Sequence, residues 1–125
     1  MKFFFTITLA LMAFSFSNAQ DKITAFTAPM QIKSGKKITI SVDYTTSESR
    51  DIIANFQLGE DPWTAYGYAK VNVPAGKGTK EIVISIDPSI PAGSNYKISA
   101  ILTTVKGTWK ERIDVATKAN VEAVK

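Results

Sequence analysis

Four large aromatic residues, Trp63, Tyr66, Tyr68 and Trp109, fall in two short segments, Asp61–Ala69 and Lys106–Arg112. Both tryptophans stand beside Gly, Pro or charged residues, where a chain turns and a side chain can stay exposed. Tyr66 and Tyr68 share parity, so a strand running through them shows both on one face. The opposite parity, Ala65, Gly67, Ala69, Val71 and Val73, is small and apolar, as suits an inner face. That assignment puts both tyrosines outside. Exposed flat rings suit stacking against the apolar face of a sugar ring, with polar neighbours taking the hydroxyls. Lys70, Arg50 and Asp61 are the candidate hydroxyl or charge partners. The competing expectation is that Trp63 or Trp109 turns inward as a core plug, as large aromatics usually do.

Other chemistries are narrower. The chain contains no Cys and no His, so a Cys nucleophile or a Ser–His pair is excluded, and zinc and copper lose their best ligands. A glycosidase-type carboxylate pair remains. Glu60-Asp61 is the adjacent acidic pair, but neighbours in a loop point apart rather than across a sugar, and a solvated turn before Pro62 is the simpler reading. No catalytic residue, no cofactor and no enzyme activity are expected. Calcium wants six or more oxygens from one loop. No Asp-x-Asp-x-Asp pattern occurs, and Glu48 with Asp51, or Glu60 with Asp61, offers two side chains at best. No metal site is assigned, although a structural calcium is left open.

Basic residues number 15 against 11 acidic ones, for a net charge of +4. The two signs are interspersed, which serves solubility rather than a nucleic-acid footprint. Only Arg50 and Arg112 are arginines; every other basic residue is Lys. A planar guanidinium suits bracing a partly buried carboxylate from two directions, or gripping an acidic polysaccharide.

The elements that must position these residues read as strands. Period-two alternation recurs, and no stretch after the N-terminal segment carries a 3.6-residue stripe. Lys36–Tyr44 places Ile38, Ile40, Val42 and Tyr44 on one face, and Asp51–Leu58 does so with Ile52, Ala54, Phe56 and Leu58. Glu81–Ile86 aligns Ile82, Ile84 and Ile86; Asn95–Thr104 aligns Tyr96, Ile98, Ala100 and Leu102. Weaker strands are Asp21–Thr27, Ala65–Val73 and Arg112–Val124, the last broken near Thr117–Asn120. Turn signals separate them, among them Ser34-Gly35, Gly59–Pro62, Pro74–Gly78 and Lys106-Gly107. About seven short strands of this kind predict an all-β fold, a single antiparallel sandwich.

Met1–Ala19 reads as a removable leader. Lys2 precedes an apolar run from Phe3 to Phe16, and Ser17-Asn18-Ala19 supplies small residues before a cut at Gln20. The run is too short to span a bilayer as a stable helix. Export is therefore expected, to the medium, the periplasm or the cell surface, with the sandwich over residues 20–125 and no membrane span. With no Cys at the cut, a lipid anchor there is excluded.

In Ile90-Pro91-Ala92-Gly93-Ser94-Asn95-Tyr96 a Tyr follows a Pro/Gly turn and opens a strand. This fits a tyrosine corner, whose hydroxyl ties the turn to the upstream backbone; an ordinary inward Tyr at a strand start fits equally. Together with Ser49-Arg50-Asp51-Ile52-Ile53, Pro62-Trp63-Thr64-Ala65-Tyr66-Gly67 and Gly107-Thr108-Trp109-Lys110-Glu111-Arg112, the segment resembles immunoglobulin-like or fibronectin-type-III-like accessory modules of secreted bacterial polysaccharide-degrading enzymes. The resemblance implies a non-catalytic sandwich that binds a polysaccharide through Trp63, Tyr66, Tyr68 and Trp109. A module that contacts an extracellular protein through a sandwich face or edge strand is the other expectation.

Overall fold

A computed structural model of the chain describes residues 21–125. The leader expected over Met1–Ala19 lies outside the described residues. Eight strands form: β1 (Lys22–Thr27), β2 (Gln31–Lys33), β3 (Lys37–Thr46), β4 (Arg50–Leu58), β5 (Ala65–Val73), β6 (Gly76–Ser85), β7 (Gly93–Thr103) and β8 (Arg112–Val124). They make two sheets, β1-β3-β6 and β2-β8-β7-β4-β5, packed face to face.

The alternating residues fill the space between the sheets. Ile40, Val42 and Tyr44 of β3 with Ile82 and Ile84 of β6 face Ile52, Ala54 and Phe56 of β4 and Ile98, Ala100 and Leu102 of β7. These side chains are excluded from solvent. Each contributes about 1.5–3 kcal/mol of transfer free energy when it is of Val, Leu, Ile or Phe size. The Phe56 and Tyr96 rings stack with centroids 5.3 Å apart, and Tyr66 meets Tyr96 edge-on at 6.0 Å.

Three features depart from the alternation. First, an eighth strand, β2, lies parallel to β8 through Gln31–Lys33 against Glu122–Val124. Pro29 cannot continue the β1 ladder. The chain therefore crosses to the other sheet, where Ile32 alone points inward and is 2% exposed. The sandwich is thus not wholly antiparallel. Second, β6 begins at Gly76, inside the segment expected to turn, and pairs Gly78 with Tyr44. A Cβ on Gly78 would lie 2.6 Å from the Tyr44 hydroxyl, so glycine at that position is what lets the strand pass. Third, β8 is not broken near Thr117–Asn120 but bulged, with Asn120 at φ 58 between the Ile98–Lys118 and Tyr96–Val121 pairs.

Candidate functional site

The outer face of the five-stranded sheet carries a groove of about 600 Å³. Its floor is the parity that points away from the core. Ladder register sets the side chains in rows across the sheet: Lys70, Ile53, Ile101 and Val115 in one, Tyr68, Asn55, Ser99 and Thr117 in the next, and Gln57 beside Lys97 in a third. Successive same-face rows stand about 7 Å apart along the strands. Ile53 and Ile101 are 7% and 5% exposed although they face outward. Apolar residues on an outward parity were the signal in the sequence that this face is not bare. Lys97, Asn55 and Ser99 carried no comparable sign.

Two loops wall the groove. At one end Trp63 sits in the β4–β5 loop, with its N–H donating to the Glu60 carbonyl at 2.8 Å and its φ at 60. That left-handed backbone costs a residue with a Cβ about 1–2 kcal/mol. At the other end a single 3-10 turn, Trp109–Glu111, presents Trp109. A reciprocal cap holds this turn: the Thr108 hydroxyl accepts from the Lys110 N–H at 3.3 Å, and the Thr108 N–H donates to Glu111 Oε1 at 2.7 Å. The Thr108 N–H and hydroxyl, both donating to Glu111, hold its exposed carboxyl below the usual carboxylate range. Trp63 and Trp109 are 49% and 52% exposed, and Tyr68 is 61% exposed. Neither tryptophan is a core plug.

Asp51 fastens the Trp109 loop to the sheet. Its carboxylate accepts the Lys106 N–H at 2.8 Å and the Asn72 side-chain amide at 3.0 Å, with Lys70 Nζ at 3.7 Å. Burial pushes this carboxyl up, but the hydrogen bonds from Asn72 and Lys106 and the nearby Lys70 charge outweigh it and hold it low. Lys70 Nζ also donates to the Gly107 carbonyl at 3.2 Å. Lys70 therefore lines the groove while bracing the loop.

The remaining candidates from the sequence divide. Trp63, Tyr68, Lys70 and Trp109 meet in the groove. Tyr66 does not join Tyr68: a bulge opposite Phe56 and Gln57 gives β5 one extra residue, which reverses the face of Tyr66 and packs it on the core. Arg50 and Asp61 are not among the groove residues. Arg50 is instead a brace, its Nε donating to Asp21 at 2.6 Å with Glu48 3.8 Å from its Nη2. Burial raises the Asp21 carboxyl, and the bonds from Arg50 and Ser47 more than reverse this. Among the described residues no group of three or more acidic side chains gathers as a metal site would require.

Each tryptophan carries a cation on its ring. Lys97 Nζ lies 4.8 Å from the Trp63 ring centroid, and the Arg112 guanidinium carbon lies 4.2 Å from that of Trp109. Arg112 is held there by donating to the Trp109 carbonyl at 3.0 Å. One groove-floor atom, Asn55 Oδ1, is shielded from solvent and has no hydrogen-bond partner among the described residues, while the Asn55 amide nitrogen donates to Gln57.

The molecule is thus an all-β, two-sheet sandwich with an aromatic-walled groove on one outer face. The porphyranase-associated domain family matches residues 18–115, and the chain belongs to that family. It is 29% identical over 97 residues to beta-porphyranase D of Zobellia galactanivorans, an alignment covering 78% of this chain and 22% of that protein. The chain therefore spans only about a fifth of that relative's length. In fold it is similar to part of a beta-glucuronidase from glycoside hydrolase family 2. The TM-score is 0.52 at 16% identity, covering 78% of this chain and 12% of that one.

Proposed function

We propose that this chain is an exported, non-catalytic module that holds an extracellular polysaccharide in the groove between Trp63 and Trp109. The observation that carries the reading is the pair of half-exposed tryptophans standing at opposite ends of one sheet face. Stacking a sugar on one ring buries on the order of 100 Å² of apolar surface, worth about 2.5 kcal/mol before association costs. Two or three such contacts yield affinities of roughly millimolar to micromolar. Tyr68 lies between the walls. Membership of a family of porphyranase-associated domains supports a place beside a polysaccharide-degrading enzyme.

The immunoglobulin or fibronectin-III type of sandwich is part of this proposal. It is supported by the strand orders β1-β3-β6 and β2-β8-β7-β4-β5 and by the Tyr96 hydroxyl bond to Pro91. Export rests on the leader pattern of Met1–Ala19. The absence of Cys and His and the commitment of Asp21 and Asp51 to structural bonds support a non-catalytic role.

Affinity electrophoresis through gels containing single polysaccharides tests the reading. The native chain is retarded by its glycan, and Trp63→Ala or Trp109→Ala reduces the affinity on the order of 10–100-fold while leaving the circular dichroism spectrum intact. Unretarded migration through a broad panel of neutral and acidic glycans rejects it. A second reading, protein contact by strand addition, is favoured by β5, a nine-residue edge of the larger sheet. Concentration-dependent association in light scattering distinguishes that case.

A further inference from the structure

We infer that the polymer held in this groove is anionic, with Lys97 and Arg112 as its counter-charges at the two tryptophan walls. The inference rests on the groove being a polysaccharide site and adds the chemical class of the sugar.

The sign of the charge at the groove and the seating of a cation on each indole carry it. The residues lining the groove include Lys70 and Lys97 and no Asp or Glu; Arg112 is not in the lining and reaches its edge only through the Trp109 ring on which it lies. Two cations near this sheet are paired, Arg50 with Asp21 and Lys70 with Asp51 and the Gly107 carbonyl. Lys97 and Arg112, like Lys118 on the same sheet, form no ion pair, and what sets them apart is their place on the two indole rings. Among the described residues no carboxylate lies within 4.0 Å of either charged group. Each is parked on an indole face instead, at 4.8 Å and 4.2 Å.

A ring face beneath a cation orders the side chain and leaves its charge uncompensated. A neutral sugar gains nothing from that charge. A ring bearing a sulfate or carboxylate can stack beside the tryptophan and place its anion at the ammonium or guanidinium, in a charge-assisted contact stronger than a neutral one. Arg112 spends one donor on the Trp109 carbonyl, and a guanidinium has five.

The spacing says more. Arg112 pairs with Thr103, which lies six residues along β7 from Lys97. At strand rise this is on the order of 20 Å. One monosaccharide cannot reach both ends, so the ligand carries its charge on repeated residues of a chain.

The test uses the full chain in affinity electrophoresis with carrageenan beside its desulfated backbone and alginate beside its carboxyl-reduced backbone. At least one charged polymer is expected to bind about tenfold or more tightly than its neutral backbone, with affinity falling as salt rises. Which charged polymer is retained distinguishes sulfate from carboxylate. Lys97→Gln and Arg112→Gln are each expected to weaken that binding about tenfold. Lys37→Gln, an equal charge change on the smaller sheet, leaves it unchanged. Equal retention of charged and neutral backbones overturns the inference and leaves the groove as a neutral-sugar site. An equal loss in Lys37→Gln also overturns it, because the attraction is then a property of net charge. No retention of any polymer overturns both the inference and the reading beneath it.

Discussion

The Tyr96 hydroxyl donates to the Pro91 carbonyl at 2.6 Å, across the turn that opens β7. This one bond joins a buried aromatic, which stacks on Phe56 and meets Tyr66, to the loop that sets where β7 begins. Burial, with Tyr66 beside it, pushes the phenol up, so it stays protonated as a donor at neutral pH. Tyr96→Phe keeps the ring and removes the donor. The expected loss is about 1–2 kcal/mol, because the carbonyl loses its partner, measured as a lower midpoint in urea with an unchanged slope.

Gly67 brings the β5 edge against the smaller sheet. A Cβ there would lie 2.7 Å from Ile84 Cγ2 and 3.2 Å from the Ser85 carbonyl, and the neighbouring Tyr66 carbonyl accepts the Asp87 N–H at 2.8 Å. Gly67→Ala therefore overpacks a contact that involves backbone, at about 1–3 kcal/mol. Gly76→Ala supplies a contrast, since a Cβ there meets nothing within 4 Å and only its φ of 114 opposes the change. If Gly67→Ala melts at the native temperature, the two sheets do not close at this position.

Acid should unfold the protein partly through Asp21 and Asp51. Both carboxyls are held below their ordinary values in the folded chain. On acidification the unfolded chain takes up protons first, near pH 4. The stabilisation is complete above that pH and disappears as the pH falls through the lower folded-state values. Asp21→Asn should be less stable at neutral pH, by about 3 kcal/mol for leaving the Arg50 guanidinium without its partner. Its stability should also change less between about pH 5 and pH 2 than that of the native chain. Parallel curves for the two proteins would remove Asp21 from the acid response.

Asp51 should matter to the position of Trp109 as much as to stability. Asp51→Ala releases the Lys106 N–H, the Asn72 amide and Lys70 together. In a Trp63→Phe background, where Trp109 alone emits, the expected change is lower fluorescence anisotropy with little change in emission maximum. Trp63 emission in a Trp109→Phe background should be indifferent to the substitution. Equal effects on both would mean general loosening of the sheet.

The cations on the two rings should show in quenching. Both indoles are half exposed, and Lys97 and Arg112 attract anions to them. Iodide should quench more strongly than caesium at low salt, and the difference should shrink as ionic strength rises. Equal quenching by the two ions would mean that the cations lie away from the rings in solution.

The core was legible because side-chain parity is local. Ile40, Val42, Ile52, Phe56, Ile82, Ile84, Ile98 and Leu102 alternate within their own strands, and a strand shows every second residue to one face wherever it pairs. Tyr66 was not legible, because the extra residue that turns it inward exists only relative to Phe56 and Gln57 on the neighbouring strand. Three-residue β2, with one buried side chain, is too short to show a period, and only β8 makes it a strand.

The amino-acid order by itself determined that this chain is all β, which residues of its alternating strands β3, β4, β6 and β7 face the core, and that Trp63 and Trp109 sit in turns. Tertiary structure decided which outward residues become one surface. Ladder register aligns Lys70, Ile53, Ile101 and Val115 from four strands. Loop closure sets Trp63 at one end and Trp109 at the other, each with a cation 4.8 Å or 4.2 Å from its ring. Register and closure are relations between distant segments, and alternation within a single strand carries no record of them.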